Sequence, residues 1–335
     1  MITGAAGFIG FHVAKNLLAK KKKLILVDNL NKYYDQKLKK KRIKELRRID
    51  KNVIFKKQDI SNYKKLFQIF STYKIDKVLN LAAQAGVRYS IKRPEVYFQT
   101  NLLGFFNILE CVKKFKIKKL VYASTSSVYG DTSASPLNEN LPANNPIQFY
   151  AVTKSSNELM AKAYSKIYNF KAIGLRYFTV YGPWGRPDMA LFKFTKAILN
   201  GDAIDVYNHG DMSRDFTYID DLLKGIRLLI DAVPRLSDRF GAQEDFIDSK
   251  SHAAPFRVVN IGNSKPHQLL DFIHAIEESI GQKAVKNFMP MQAGDVPATW
   301  ADTTLLEELT GYKPNTDLMT GVQSFVSWYR NYYKV

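Results

Sequence analysis

The segment Thr3-Gly4-Ala5-Ala6-Gly7-Phe8-Ile9-Gly10 constrains this chain more than any other. Three glycines, each three residues from the next, stand directly before a helical pattern. Gly4 and Gly7 permit a tight turn whose backbone can approach a diphosphate, and Gly10 lets the following helix pack closely on a sheet. The first turn of that helix, with Phe8 and Ile9 in it, aims free N–H groups and a positive dipole end at an anion. A strand pattern follows at Leu24-Ile25-Leu26-Val27, and Asp28 ends it, 18 residues after Gly10. An acid there suits the hydroxyls of an adenosine ribose and repels a 2′-phosphate. The predicted cofactor is therefore NAD rather than NADP.

The rest of the first half repeats the alternation. Val53 to Phe55, Val78 to Ala82 and Leu120 to Ala123 are short continuous apolar runs, as in strands buried on both faces. Helical patterns lie between them at Phe11 to Lys20, Tyr63 to Tyr73 and Pro94 to Phe115, the last opening on proline. The expected fold is α/β, a doubly wound parallel Rossmann sheet. The first strand would span only Met1 to Thr3, short against about 5–6 residues for an ordinary strand. Either a few natural residues are missing before it or the strand is unusually short. After about residue 175 the pattern becomes irregular, with helical stretches at Leu191 to Leu199, Ile219 to Ala232, Leu269 to Ile280 and Gly321 to Tyr333. Ser237 to Pro255 is polar and reads as a loop. The expected division is a NAD-binding Rossmann domain over 1–175 and a substrate-binding lobe over 176–335, some of whose segments return to the sheet.

The 335 residues suit such a two-part arrangement. Lys+Arg 50 against Asp+Glu 31 gives a net charge of +19, much of it in Lys20 to Lys23 and Lys37 to Lys44. These runs read as a solvated lysine face. Polyanion binding is the alternative, but no aromatic-interleaved basic motif supports a nucleic-acid partner. No apolar run reaches the roughly 18 residues of a membrane span, and the N-terminus lacks the layout of a signal peptide. Cys111 is the only cysteine, so no internal disulfide forms. A cytoplasmic location is expected. His12, His209, His252, His267 and His274 show no metal-ligand spacing.

Tyr150 and Lys154 form a Tyr-x-x-x-Lys pair opening a helical stretch, on one helix face. A tyrosine has a pKa near 10, too high for a base at neutral pH. A neighbouring ammonium and a positive nicotinamide ring stabilise phenolate, so the pair suits proton removal from a sugar hydroxyl. Alone, the pattern is common on surface helices. Here Ser124-Thr125-Ser126-Ser127-Val128-Tyr129-Gly130 follows a buried-strand pattern, where active sites of open sheets form. The hydroxyl of Thr125 suits a hydrogen bond to the reacting oxygen.

With these motifs in view, the chain resembles the extended short-chain dehydrogenases/reductases, and among them the UDP-sugar 4-epimerases, over essentially its whole length. The resemblance rests on Gly4/Gly7/Gly10, Asp28-Asn29, Asp59-Ile60, the stretch from Leu81 through Ala82, Ala83 and Arg88 to Ser90, Asn101, Thr125, Tyr150/Lys154, the stretch Arg214 to Asp221, and Gly294 to Ala298. The segment Tyr177 to Met189, containing Thr179, Val180 and Arg186, is closest to the UDP-glucuronate 4-epimerases. The resemblance implies that Asp59 and Ile60 hold adenine, and that Leu81, Ala82, Ala83, Asn101, Ser124, Tyr177 and Val180 line the cofactor channel with Asn29. It implies Arg214 and Asp295 on the UDP moiety, a UDP-sugar substrate and a homodimer. The dimer would pair the long helices near Pro94 to Phe115 and Tyr150 to Tyr168 through apolar residues including Leu102, Phe105, Phe106, Leu159 and Ala163. Asn80 stands where relatives often carry histidine.

Residues beside Thr125 separate related reactions. Family 4,6-dehydratases carry Asp-Glu after the threonine, and UDP-glucuronate decarboxylases carry a glutamate before the Val-Tyr-Gly segment. This chain has Ser126 and Ser127. UDP-galactose 4-epimerases remain the nearest rival; they usually have asparagine at the position of Thr179. Oxidising C4 of a glucuronate makes a β-keto acid prone to lose CO₂. An epimerase must therefore hold the carboxylate in a poor geometry for cleavage. Ser126, Ser127 and Thr179 are candidate hydroxyl donors for that task, with Arg186 as candidate cation and Arg88 a weaker one. A non-catalytic NAD-binding relative that binds a polyanion is the remaining class.

Overall fold

The structure is a computed structural model and describes residues 1–232, 248–292 and 294–335. The first half runs β1 (Ile2–Thr3), α1 (Phe8–Ala19), β2 (Ile25–Asp28), α2 (Gln36–Ile49), β3 (Ile54–Lys57), α3 (Tyr63–Thr72), β4 (Lys77–Asn80), α4 (Val87–Lys92), α5 (Pro94–Tyr97), a π-helical turn (Phe98–Leu103), α6 (Gly104–Lys114), β5 (Lys119–Thr125), α7 (Phe149–Tyr168) and β6 (Lys171–Tyr177). The second half adds β7 (Thr179–Tyr181), α8 (Ala190–Asn200), β8 (Ile204–Val206), β9 (Ser213–Tyr218), α9 (Ile219–Asp231), β10 (Phe256–Ile261), β11 (Pro266–Gln268), α10 (Leu269–Ile280), β12 (Lys286–Phe288), β13 (Ala298–Thr299), α11 (Thr304–Thr310) and α12 (Leu318–Tyr333).

Seven strands form one parallel sheet in the order β10-β6-β5-β4-β1-β2-β3. The order reverses direction between β1 and β4, and a crevice opens there at the carboxyl ends of the strands. β1 is only two residues long yet central, pairing Ile2 with Leu26 on one side and with Leu79 on the other. Its side chains and those of β2, α1 and α9 share one core on one face of the sheet. A second core on the other face joins α3, α6 and α7 to β4–β6 and β10. β10 comes from the second half of the chain and runs beside β6 over Phe256 to Ile261. The remaining lobe packs α8, α10 and α12 on β7, β8 and β9 around Phe192, Phe216, Phe272 and Phe325.

Local signals account for the element ends. Asp35 accepts from Lys37 N at 2.7 Å to start α2, Asn62 caps α3, and Gln148 Oε1 accepts from Ala151 N at 2.7 Å to start α7. Asn169 and Gly201, both left-handed, end α7 and α8.

One expectation holds with a local difference and one is corrected. The helix expected over Pro94 to Phe115 runs unbroken from Pro94 to the end of α6, its middle turn wound as a π-helix, a wider winding frequent at functional sites. The lysine run of α2 is not uniformly solvated: Lys39 and Arg42 are buried within it, at 5% and 0% exposure. Of the polar stretch expected as a loop, 237–247 lies outside the described residues, and 248–255 holds no helix or strand. Among the described residues no helix is long and apolar enough to cross a membrane.

Candidate active site

A cleft of about 1250 Å³ runs from the glycine turn across the carboxyl ends of the strands to the second lobe. Pockets for one drug-sized ligand measure about 300–1,000 Å³, so this space suits two bound molecules. Gly4, Gly7, Phe8, Ile9 and Gly10 line one end. Gly4 has φ +67°, and a Cβ on it would lie 2.7 Å from the Leu81–Ala82 backbone. No side chain caps the start of α1 and no acid lies in its first turn, so its N–H groups remain for an anion. Asp28 lines the same end and stays anchored, with Leu30 N donating to Oδ1 at 2.8 Å and Ala6 N to Oδ2 at 3.0 Å. Burial pushes its carboxyl above the ordinary range, against those two hydrogen bonds and the charges of Lys39 and Arg42. Asp59 accepts from Asn29 Nδ2 at 2.7 Å and from the Ser61 hydroxyl at 2.7 Å, so Asn29, Asp59 and Ile60 form one wall.

β5 delivers Ser124 and Thr125 to the middle of the cleft, where Thr125 lies beside Tyr177 of β6. Tyr150 and Lys154 reach the same place from the first two turns of α7. Thr125 stands by the Tyr150 phenol and favours its ionised form, while its hydroxyl donates to Ser127 Oγ at 3.2 Å and accepts from Ser127 N at 3.2 Å. The Lys154 ammonium is buried and donates to Asn157 Oδ1 at 3.3 Å; burial lowers its pKa to about 8. The electrostatics differ from the expected picture. Burial raises the Tyr150 pKa, and the groups that pull it down are Thr125 and Arg186, not Lys154. The ammonium and the buried Tyr177 hydroxyl, which bonds to no protein atom, are donors suited to a ribose and a nicotinamide. Together with the glycine cradle and Asp28, they make the cleft fit NAD.

The α7 pair is held from behind by residues the sequence reading did not name. Ser124 Oγ donates to Glu158 Oε1 at 2.6 Å, and Arg176 Nη2 pairs with Glu158 Oε2 at 2.7 Å, both carboxylate and guanidinium buried. Glu158 lies one helical turn beyond Lys154, so β5, β6 and α7 share one locked network.

Asn101 departs from its expected place. It does not line the cleft but sits behind it on the π-helical turn, with Nδ2 donating to Gln84 O at 3.0 Å and Thr153 Oγ1 at 3.0 Å. Its carboxamide thereby ties the strand-end segment holding Gln84 to α7. The other positions expected to meet the cofactor, Leu81, Ala82, Ala83 and Val180, line the cleft, as do Ser126, Ser127 and Thr179. At the far end Arg88 and Asp295 meet each other at 2.7 Å, and the Arg88 guanidinium covers the Tyr207 ring at 4.9 Å. Arg214 donates to the carbonyls of Ser213, Pro297 and Val296 at 2.7–2.9 Å, pinning the segment that carries Asp295. These groups make a cationic end with one acid. Arg186 sits in the turn after β7. His12 Nε2 meets Pro183 O at 2.8 Å, and the buried Arg42 binds the Trp184 and Gly185 carbonyls together with Ala6 O in the glycine turn. Trp184 is left-handed, φ 60°, a conformation these contacts sustain. Tyr33, Lys39, Gly86 and Asp188 also line the cleft. The signal for Asp188 lay in the Tyr177 to Met189 segment, whereas a loop tyrosine and one lysine among many carry none.

Comparison with known proteins agrees with this geometry. The family model described as GDP-mannose 4,6 dehydratase matches residues 1–325. Protein CapI of Staphylococcus aureus is 48% identical over 334 residues, covering 100% of this chain and 99% of that protein. A probable UDP-glucuronate 4-epimerase of Rhizobium meliloti (strain 1021) is 46% identical, covering 100% of this chain and 97% of that one. A crystal structure of UDP-glucuronic acid 4-epimerase from Bacillus cereus, in complex with UDP-glucuronic acid and NAD, superposes with a TM-score of 0.85 at 33% identity, covering 99% of each chain.

Proposed function

The chain belongs to the GDP-mannose 4,6-dehydratase family, within the extended short-chain dehydrogenases/reductases, and on that footing we propose that it is an NAD-dependent UDP-sugar 4-epimerase converting UDP-glucuronate to UDP-galacturonate. The observation that carries this reading is the joint position of Thr125, Tyr150 and Lys154 beside two serines, Ser126 and Ser127, in one cleft with the glycine cradle. A dehydratase needs a carboxyl acid and base after the threonine, and these positions hold none.

NAD along Gly4, Gly7, Gly10 and Asp28 supplies reversible acceptance of a hydride from the sugar C4. Tyr150 as phenolate takes the proton of the 4-hydroxyl, with Thr125 and Arg186 drawing its pKa down and Lys154 placed as a donor to the cofactor ribose. The 4-keto sugar then turns over in the cleft, and Tyr150 returns the proton to the new 4-hydroxyl. Net redox is zero. Arg214 and Asp295 take the UDP moiety, and Arg88, paired with Asp295 at that end, serves it too rather than the sugar carboxylate as first expected. Ser126, Ser127, Thr179 and Arg186 hold the sugar carboxylate away from alignment of C5–C6 with the carbonyl. Loss of that hold lets the C5–C6 electron pair flow into the ketone, releasing CO₂ and leaving an enolate that takes a proton at C5. Return of the hydride then yields a UDP-pentose. The protein works as a dimer through α7 and α6, whose exposed Leu159 (69%), Ile167 (68%) and Phe106 (40%) support an apolar contact. Phe105 is buried against the sheet and takes no part in it.

The test is incubation of the purified protein with UDP-glucuronate and, separately, UDP-glucose, with products resolved by mass spectrometry and chromatography. UDP-galacturonate as main product supports the reading; faster turnover of UDP-glucose refutes it. Light scattering at micromolar concentration tests the dimer, and a monomer mass refutes it.

A further inference from the structure

Arg186 is not a free cation in the cleft wall. Its Nε donates to Asp188 Oδ1 at 3.1 Å and its Nη2 to Oδ2, a side-on bidentate pair with both side chains mostly buried. The Tyr33 hydroxyl donates to the same Oδ2 at 3.0 Å. Tyr33 belongs to the loop after β2, so the cofactor side and the substrate side of the cleft meet on one carboxylate. Gly86 keeps that approach open, since a Cβ on it would lie 2.5 Å from the Tyr33 hydroxyl. The Tyr33 ring also packs on Tyr89, centroids 4.9 Å apart.

This arrangement has a chemical consequence. Burial works to protonate Asp188, but Arg186 and Tyr33 hold it below the ordinary carboxylate range, so it stays ionised. An ionised partner cancels much of the charge that Arg186 offers an anion. It also fixes the plane of the guanidinium through two parallel bonds and leaves the Nη1 edge outside that pairing. Arg186 then offers direction more than attraction. Direction is what separates the two fates of a 4-keto glucuronate, because decarboxylation depends on the angle of C5–C6 to the carbonyl.

We infer that Asp188 and Tyr33 are positioning residues that set the angle at which Arg186 meets the sugar carboxylate, and thereby govern the partition between epimerisation and decarboxylation. The inference rests on the UDP-glucuronate reading above. The experiment uses the full chain with NAD, as parent, Asp188→Asn and Tyr33→Phe, given UDP-glucuronate. UDP-galacturonate, UDP-pentose and CO₂ are quantified together with KM and kcat. Asp188→Asn should raise the ratio of UDP-pentose to UDP-galacturonate about tenfold, the worth of one hydrogen bond to a charged group, without raising KM. Tyr33→Phe keeps the ion pair and should raise the ratio less. A folded Asp188→Asn variant that only turns over more slowly, at the parental ratio, overturns the inference. If Asp188→Asn does not fold, Tyr33→Phe decides alone, and a parental ratio there overturns it too. A parent protein that ignores UDP-glucuronate overturns the functional reading and this inference with it. An active parent with unmoved ratios in the variants overturns the positioning role alone.

Discussion

Gly10→Ala adds one methyl group where the turn has no room for it. The new Cβ would lie 2.1 Å from Gly4 O, 2.8 Å from Gly4 C and 3.0 Å from Ala5 Cα. All three are backbone atoms, so no rotamer change relieves the contact. To bring the first distance to 3.0 Å, α1 and the turn must separate by about 0.9 Å. Gly4 O also accepts from Gly7 N at 2.9 Å, so the movement disturbs the hydrogen bond that closes the turn. Overpacking of this kind costs about 1–3 kcal/mol. The same shift moves the N–H groups facing the diphosphate, and at 1.4 kcal/mol per tenfold the loss in NAD affinity should be about 10- to 100-fold. Gly201→Ala is the control. It has φ +76° with nothing within 4 Å of an added Cβ, so it carries backbone strain of about 1–2 kcal/mol and no cleft effect. Calorimetric titration of NAD into cofactor-stripped protein, alongside thermal melts, separates the two. The reasoning is refuted if folded Gly10→Ala binds NAD within twofold of the parent, or if Gly201→Ala loses affinity equally.

Tyr150→Phe keeps the ring and its edge contact with Tyr97, centroids 6.0 Å apart, and removes the ionisable hydroxyl. Turnover should fall about 10²–10⁴-fold with the melting point little changed, and near-parental turnover excludes Tyr150 as the base. Glu139 is buried, accepts from Asn260 N at 2.7 Å, and burial pushes its pKa from 4.5 to about 7. Between these values the folded chain keeps a proton that the unfolded chain has lost, so this group makes stability fall as pH rises from about 4.5 to 7. Glu139→Gln retains an acceptor for Asn260 N and should flatten that fall in denaturant melts at pH 5 and 8; an unchanged slope sinks the assignment.

Much of the fold was legible because its signals are local. The glycine turn, the capping residues and the apolar strands each depend on a few neighbouring residues. Repetition of strand and helix then leaves few topologies open. The π-helical winding within the helix over Pro94 to Phe115 was not legible, since a π-helical turn has no composition of its own. Nor was the burial of Lys39 and Arg42, which depends on oxygens brought from Asn31, Ala6, Trp184 and Gly185. In the site, Thr125, Tyr150 and Lys154 could be named in advance because their spacing encodes one strand end and one helix face. Asn101 could be named too, but its position behind the wall depends on the winding of the turn that carries it.

The sequence by itself determined the parallel sheet, the dinucleotide turn and the Tyr-Lys pair, all properties of chain-local periodicity and backbone freedom. Only the tertiary structure decided which charges meet. Arg88 lies 207 residues from Asp295, and Tyr33 lies 155 from Asp188. The same holds for Glu158, whose partners Ser124 and Arg176 come from two other elements. A charge's role follows from its neighbours and its exposure to water, and neither is a property of the stretch of chain that carries it.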